Sequence, residues 1–130
     1  MLICDDNAAM RSLLGAIVGT SVRMRVVGEA ADGNDAVAQA ARLQPNVILL
    51  DLAMPIRSGL EALTELRKVA PDALIIVFSG FASSLVADEV IALGAAGYLE
   101  KGADPDTVVA TIEQALANTN HLSPSLIAPA

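Results

Sequence analysis

The sequence contains one cysteine and one histidine, and each scarcity excludes a class of site. A single cysteine cannot form an internal disulfide, and such usage is typical of proteins from reducing compartments. Cys4 lies in the first apolar run, so a buried small side chain is favoured over a reactive thiol. His121 has no second histidine and no nearby cysteine, which argues against a histidine-based metal centre.

Basic residues are also few, with 8 Lys and Arg against 15 Asp and Glu and a net charge of −7. The largest basic cluster is Arg67-Lys68. Because nucleic-acid binding depends on neutralising phosphates, we expect no direct DNA contact. Apolar runs all fall short of the ~20 residues of a membrane span. The N-terminus does not resemble a signal peptide, and we expect a cytoplasmic protein without membrane contact.

Short apolar runs alternate with helical patterns, which is typical of βα units and a parallel sheet. The chain of 130 residues fits one domain, and a composition of 54% hydrophobic but only 2% aromatic residues predicts an aliphatic core. The predicted strands cover residues 2–4, 24–27, 47–50, 74–78 and 97–100. The predicted helices follow them, around residues 10–18, 34–43, 58–69, 84–93 and 104–118. We therefore predict an α/β fold.

Polar or charged side chains stand where the apolar runs end: Asp5, Asp6, Asp51, Ser79 and Lys101. Alone, each is more typical of a turn, a helix cap or an exposed lysine. In a parallel sheet they share the ligand-binding edge. Three close carboxylates need a cation, and hard oxygen ligands suit Mg²⁺. A phosphoryl group on Asp51 would add about −1.5 to −2 charges and would need donors such as Ser79 and Lys101.

Together these motifs resemble the CheY-like receiver domain of bacterial two-component response regulators. The resemblance covers about residues 2–118 and rests on Asp5-Asp6, the stretch from Asp51 to Pro55 with Gly59, Ser79-Gly80, and Tyr98 with Lys101. It implies a doubly wound, flavodoxin-like (βα)5 fold with five parallel strands in the order 2-1-3-4-5. Residues 97–103 and the tail from His121 to Pro124 are similar to the NarL/LuxR-type branch.

The resemblance also implies roles for individual residues. Asp51 would accept phosphate from a histidine kinase, and Mg²⁺ would bind Asp51, Asp6, the Ala53 carbonyl and, largely through water, Asp5. Lys101 and Ser79 would hold the phosphoryl oxygens. Ser79 and Tyr98 would form the switch, with Tyr98 turning inward. The responding face would be the fourth helix, fifth strand and fifth helix, about residues 84–118, which often dimerises or docks partners in the family.

The tail and the short first strand bear on the domain boundaries and on the support of the acid pair. Residues 1–118 would form the receiver domain, and 119–130 a linker toward an output domain that is absent from this chain. The chain would be cut from a longer transcription factor that reaches DNA through that domain, or it would be a single-domain regulator. The first strand has only three residues with which to position Asp5 and Asp6.

The resemblance also implies that phosphate lifetime depends on the residues two positions after Asp51 and Ser79. These are Ala53 and Phe81, and neither side chain can orient a water molecule, so slow self-hydrolysis is predicted.

Two other functions fit parts of the pattern. A haloacid-dehalogenase-type phosphatase needs a second Asp two residues after its nucleophile, and Ala53 stands there, so we expect a phosphoacceptor rather than an enzyme. A phosphate-independent interaction module on the same fold remains an alternative.

Overall fold

The computed structural model describes residues 1–80 and 84–127, with side chains for 1–80 and 86–118. Five strands and five helices alternate in this part of the chain. The strands are β1 (Leu2–Cys4), β2 (Gly28–Ala30), β3 (Val47–Asp51), β4 (Leu74–Ser79) and β5 (Gly97–Glu100). The helices are α1 (Ala8–Val18), α2 (Gly33–Leu43), α3 (Gly59–Val69), α4 (Ser84–Ala92) and α5 (Pro105–Ile127).

All strand pairs are parallel, and the sheet order is β2-β1-β3-β4-β5, as predicted. The register aligns Cys4 with Leu50, and Asp51 with Phe78. Ser79 lies opposite Glu100, the residue before Lys101. The carboxyl ends of β1, β3, β4 and β5 therefore meet along one edge of the sheet.

Helices cover both faces of the sheet, because alternate residues of each buried strand point to opposite sides. Leu2, Ile48 and Ile75 pack in a core with side chains of α2 and α3. Ile3, Leu49 and Ile76 pack in a second core with side chains of α1 and α5. The cores contain many alanines, which allow helices to approach the sheet closely.

Two helix starts predicted from capping residues are confirmed. Ser58 Oγ accepts a hydrogen bond of 3.3 Å from the Glu61 N–H at the start of α3. Asp104 Oδ1 accepts one of 2.8 Å from the Thr107 N–H, and α5 begins at Pro105. Proline at the first helical position leaves no extra donor unsatisfied.

The predicted position of the second strand was wrong: residues 24–27 precede β2, which spans Gly28–Ala30. Leu2 pairs with Gly28, so residues 24–27 lie before the ladder that β1 forms. They run beside Met1, whose ammonium group donates to the Arg25 carbonyl at 2.8 Å. Met24 and Val26 pack against the core beneath α1 and α5, which explains their apolar pattern without strand pairing.

The predicted end of the last helix near Asn118 was also wrong, since α5 extends to Ile127. Residues 119–122 contain no glycine or proline, so no strong breaker follows Asn118. Pro124 lacks an N–H and removes one helical hydrogen bond, but the backbone remains helical to Ile127. Among the described residues, no helix has the length and apolarity needed to span a membrane.

Gly59 allows α3 to start directly against the end of β3. A Cβ atom at this position would lie 2.4 Å from the Asp51 carbonyl oxygen and 2.5 Å from the Leu52 Cα. Since both contacts are with backbone, Gly59→Ala should lower the free energy of unfolding by about 1–3 kcal/mol. Urea unfolding followed by circular dichroism measures this change.

Gly15→Ala is the matched control, because apart from neighbouring residues and backbone of α1 itself no atom lies within 4 Å of the new methyl group. This variant should gain about 0.5–1 kcal/mol from better helix propensity. Equal effects of the two substitutions would contradict the close approach of α3 to β3.

Candidate functional site

Three carboxylates converge at the edge of the sheet where β1 and β3 end. Asp5, Asp6 and Asp51 each offer an oxygen, and these atoms lie within 4.8 Å of one another. Asp5 and Asp51 are each only 1% exposed, whereas Asp6 is exposed. The neighbouring positions of β1 and β3 thus bring together acids that are 45 residues or more apart in sequence (51 − 6 = 45).

Asp51 is the last residue of β3, and the loop that follows holds its carboxylate. The Ala53 N–H donates to Asp51 Oδ1 at 3.1 Å. The Leu52 N–H donates to the Phe78 carbonyl at 3.2 Å, which continues the contact with β4. Asp51 Oδ2 lies 3.0 Å from Lys101 Nζ. One oxygen is therefore fixed by backbone, and the other faces a cation.

Asp5 is held by the backbone on both sides. Its N–H donates to the Ala30 carbonyl at 3.0 Å, and its Oδ1 accepts a bond of 2.9 Å from the Asn7 N–H. Burial raises the pKa of Asp5 above its ordinary value. The Asn7 N–H opposes this rise, the charge of Asp51 adds to it, and Lys101 opposes it. The net rise reflects the cost of burying a carboxylate beside a second one.

Lys101 brings one positive charge to the two buried acids. Its Nζ lies 3.2 Å from Asp5 Oδ2 and 3.0 Å from Asp51 Oδ2. Burial by itself lowers the pKa of Lys101, but the hydrogen-bonding and charge effects of Asp51, followed by those of Asp5, outweigh it. The pKa is therefore raised, and the ammonium group stays charged at neutral pH.

The donor set fits a hard divalent cation. The Oδ2 atoms of Asp5 and Asp51 are buried, and among the described residues Lys101 Nζ, at 3.2 and 3.0 Å, is the one partner recorded for them. The Lys101 ammonium contacts two of the three carboxylates, so the acids of the cluster outnumber the ammonium that pairs with them. Mg²⁺ prefers such oxygens and needs only one or two carboxylates from the protein.

Ser79 and Tyr98 lie on the strands beside this cluster. Ser79 ends β4, is 2% exposed, and accepts a backbone hydrogen bond of 2.7 Å from the Lys101 N–H. Tyr98 is half-buried on β5 and packs against the core beneath α2 and α3. It lines a cavity of about 370 Å³ together with Lys101 and Thr107. Phe81 lies outside the described residues.

Three residues at the site were not predicted from the sequence. Asn7 caps α1, accepting hydrogen bonds from Ala9 and Met10. Its position after Asp5-Asp6 and before an apolar helix could have revealed this cap. Arg11 Nη1 donates to the Asp5 carbonyl at 2.8 Å, and its Nε donates to Glu29 Oε1 at 3.0 Å. Arg11 and Glu29 are 18 residues apart, and no periodic pattern pairs them.

A family model, the response regulator receiver domain, matches residues 1–113. Chemotaxis protein CheY of Thermotoga maritima is 35% identical over 114 residues, which cover 88% of this chain and 94% of CheY. The nitrate/nitrite response regulator protein NarL of Escherichia coli is 38% identical over 128 residues, which cover 97% of this chain and 58% of NarL.

Solved structures show the same fold. A LuxR-family two-component response regulator from Aurantimonas sp. matches with a TM-score of 0.85 and 30% identity, covering 90% of this chain and 84% of that one. The chain spans 58–59% of the length of several matching relatives, including NarL and the transcriptional regulatory protein YdfI of Bacillus subtilis. The likeness therefore concerns the receiver part of these longer proteins.

Replacing Lys101 tests its role in neutralising the two buried acids. Lys101→Met should lower the free energy of unfolding at pH 7 by on the order of 2 kcal/mol, because two buried carboxylates lose their cation. This is less than for a fully buried pair, since the Lys101 side chain is 24% exposed. Urea unfolding at several pH values measures the loss.

The stability loss caused by Lys101→Met should be smaller at low pH than at pH 7. Asp5 binds a proton more tightly in the folded state than in the unfolded state, so the loss should shrink as pH falls through its raised pKa. Lys68→Met is the control, because Lys68 is 68% exposed and lies 3.6 Å from Glu65. The control should change stability by less than about 0.5 kcal/mol. A Lys101→Met loss no larger than this would refute the neutralising role.

Proposed function

The chain belongs to the response regulator receiver domain family of two-component signalling proteins, and we propose that it is a switch phosphorylated on Asp51. The observation that carries the proposal is the environment of this buried carboxylate. One oxygen of Asp51 accepts the Ala53 N–H, and the other faces Lys101 Nζ at 3.0 Å. Asp5 and Asp6 stand beside it, with oxygens close enough to that of Asp51 to share a cation.

The proposed reaction is phosphoryl transfer from a phosphohistidine of a sensor kinase. A carboxylate oxygen of Asp51 forms a bond to phosphorus while the phosphorus–nitrogen bond of the donor breaks. The electron pair of that bond leaves with the histidine nitrogen, which then takes up a proton. Catalysis of such a transfer is mostly positioning and charge neutralisation, so the domain acts as a phosphoacceptor rather than a conventional enzyme.

Receiver domains bind Mg²⁺ at an acidic cluster, and the set here consists of Asp5, Asp6 and Asp51, with the Ala53 carbonyl as a further ligand. When bound, the ion would supply positive charge that offsets both these carboxylates and the phosphoryl oxygens. Asp6 directly and Asp5 largely through water would hold the cation next to Asp51. The backbone bond from Ala53 keeps the Asp51 carboxylate aimed at the same position.

The switch follows from the charge that phosphorylation adds. A phosphoryl group brings about −1.5 to −2 charges and new acceptor oxygens. Lys101, now shared between Asp5 and Asp51, turns toward these oxygens, and the Ser79 hydroxyl donates to them. Tyr98 moves further inward as Ser79 shifts. These contacts exist only in the phosphorylated state, so they bias the α4-β5-α5 face toward a second conformation.

The proposed partners are a sensor histidine kinase and a second copy of the chain on the α4-β5-α5 face. YdfI is a transcriptional regulatory protein, and NarL is a nitrate/nitrite response regulator. By likeness to them, we infer a role in transcription regulation, with DNA contacted only through an output domain outside residues 1–130. A cytoplasmic location belongs to the same proposal, because DNA is the final target.

Acetyl phosphate provides a direct test of phosphorylation. Incubation with acetyl phosphate and Mg²⁺ should add one phosphoryl group, observed by intact-protein mass spectrometry. Asp51→Asn should abolish the gain because the amide is not a nucleophile, whereas the exposed control Asp72→Asn should retain it. No gain at any Mg²⁺ concentration would instead favour a phosphate-independent interaction module.

Phosphate lifetime is a separate prediction. Ala53 is exposed and its methyl group cannot orient a water molecule, so phospho-Asp51 should hydrolyse slowly in Mg²⁺. Ala53→Asn should shorten the lifetime by supplying a polar side chain at this position. For wild type and Ala53→Asn, the lifetime is measured by following the loss of the phosphorylated protein by mass spectrometry after acetyl phosphate is removed. A wild-type half-life of only a few seconds would disprove slow self-hydrolysis.

A further inference from the structure

We propose that Arg11 is a positioning residue that holds the acid pair Asp5-Asp6 in its cation-binding geometry, with Glu29 as its anchor. The inference rests on the proposed function, since it concerns the cation site of the same switch. Arg11 lies on the first turns of α1 and donates from two different nitrogens. Nη1 reaches the Asp5 carbonyl at 2.8 Å, and Nε reaches Glu29 Oε1 at 3.0 Å.

The carbonyl of Asp5 belongs to the peptide group that joins the two acids. Because a peptide group is planar, fixing its oxygen also fixes the Asp6 nitrogen and Cα. Asp6 is exposed, and its side chain has no hydrogen bond recorded among the described residues. The bond from Arg11 therefore holds the peptide plane from which Asp6 begins, and with it the position of the Asp6 Cα beside Asp5.

Besides the ion pair with Lys101, three hydrogen bonds hold Asp5, and Arg11 supplies the third. The Asp5 N–H is bound to Ala30 and the Oδ1 atom to Asn7, so these two bonds orient the start of the residue and its side chain. Neither bond restrains the carbonyl at its other end. Only Arg11 does so, within the described part of the chain, and this matters because β1 contributes just three residues to the sheet.

The ion pair with Glu29 keeps the Arg11 guanidinium away from the carboxylates, where it would compete with the cation. Glu29 lies on β2 opposite Ile3 and immediately before Ala30. Its carboxylate binds Arg11 Nε, and the Arg11 side chain is only 20% exposed. A guanidinium held by a fork of two bonds presents fixed donors, which an ammonium cannot reproduce. Without Glu29, the guanidinium could turn toward the carboxylates and occupy the place of the cation.

If Arg11 is replaced by an uncharged residue, a positioning role and simple electrostatics predict opposite changes in Mg²⁺ affinity. Removing a positive charge near three carboxylates should strengthen Mg²⁺ binding by Coulomb's law alone. Loss of a residue that orients metal ligands instead weakens binding, typically by about tenfold to a hundredfold. We expect Arg11→Met to weaken Mg²⁺ binding by about tenfold.

The experiment is isothermal titration of the full chain with MgCl₂ in the absence of any phosphodonor. Arg11→Lys retains the charge but cannot form both bonds, so it should also weaken binding. Glu29→Gln retains an acceptor and should fall between wild type and Arg11→Met. Arg42→Met is the control, because this exposed arginine on α2 donates to Gln39 at 2.6 Å, on the same helix. Its Mg²⁺ affinity should equal that of wild type.

Urea unfolding of each variant separates positioning from stability. A merely structural Arg11 would lower the unfolding midpoint and leave the Mg²⁺ affinity of the folded chain unchanged, which would overturn the inference. Tighter Mg²⁺ binding by Arg11→Met would overturn it as well. If Arg11→Met fails to fold, Arg11→Lys provides the same comparison. Absence of Mg²⁺ binding by wild type would reject the proposed function together with this inference.

Discussion

The site depends on two buried carboxylates that face one ammonium group. Asp5 and Asp51 are almost completely buried, and Lys101 Nζ lies 3.0–3.2 Å from an oxygen of each. Burial disfavours both charges, and the raised pKa of Asp5 expresses that cost. The ammonium reduces the cost but leaves an excess of negative charge. In the proposed switch, this incompletely neutralised site accepts a cation, and Lys101 then exchanges its carboxylate contacts for phosphoryl oxygens.

The sheet brings these side chains together, because the strands do not lie in the sheet in the order in which they occur in the sequence. β1 and β3 are neighbours, and β4 and β5 follow on the same side. The close packing of Gly59 against the end of β3 keeps the next helix near Asp51. The short β1 would provide little support for Asp5 by itself. Backbone and side-chain bonds from Ala30, Asn7 and Arg11 provide the rest.

The sequence predicted the parts of the site that come from strand ends. Asp51, Ser79 and Lys101 each follow a recognisable apolar run, so their shared edge could be inferred before their distances were known. The second strand was misplaced, because Met24 and Val26 are apolar for contact with the core rather than for pairing. Arg11 and Glu29 were missed for a related reason. Their pairing depends on how the fold places the start of α1 relative to β2, and no spacing within the chain encodes that placement.

In the proposed switch, Lys101 exchanges its carboxylate contacts for a phosphoryl group on Asp51. The most direct measurement is a crystal structure with Mg²⁺ and beryllofluoride, a stable mimic of the phosphoryl group. The account predicts beryllofluoride on the Asp51 carboxylate, Mg²⁺ beside Asp5 and Asp6, and Lys101 Nζ contacting fluorine instead of Asp5. Beryllofluoride that does not bind Asp51, or a Lys101 that remains between Asp5 and Asp51, would contradict it.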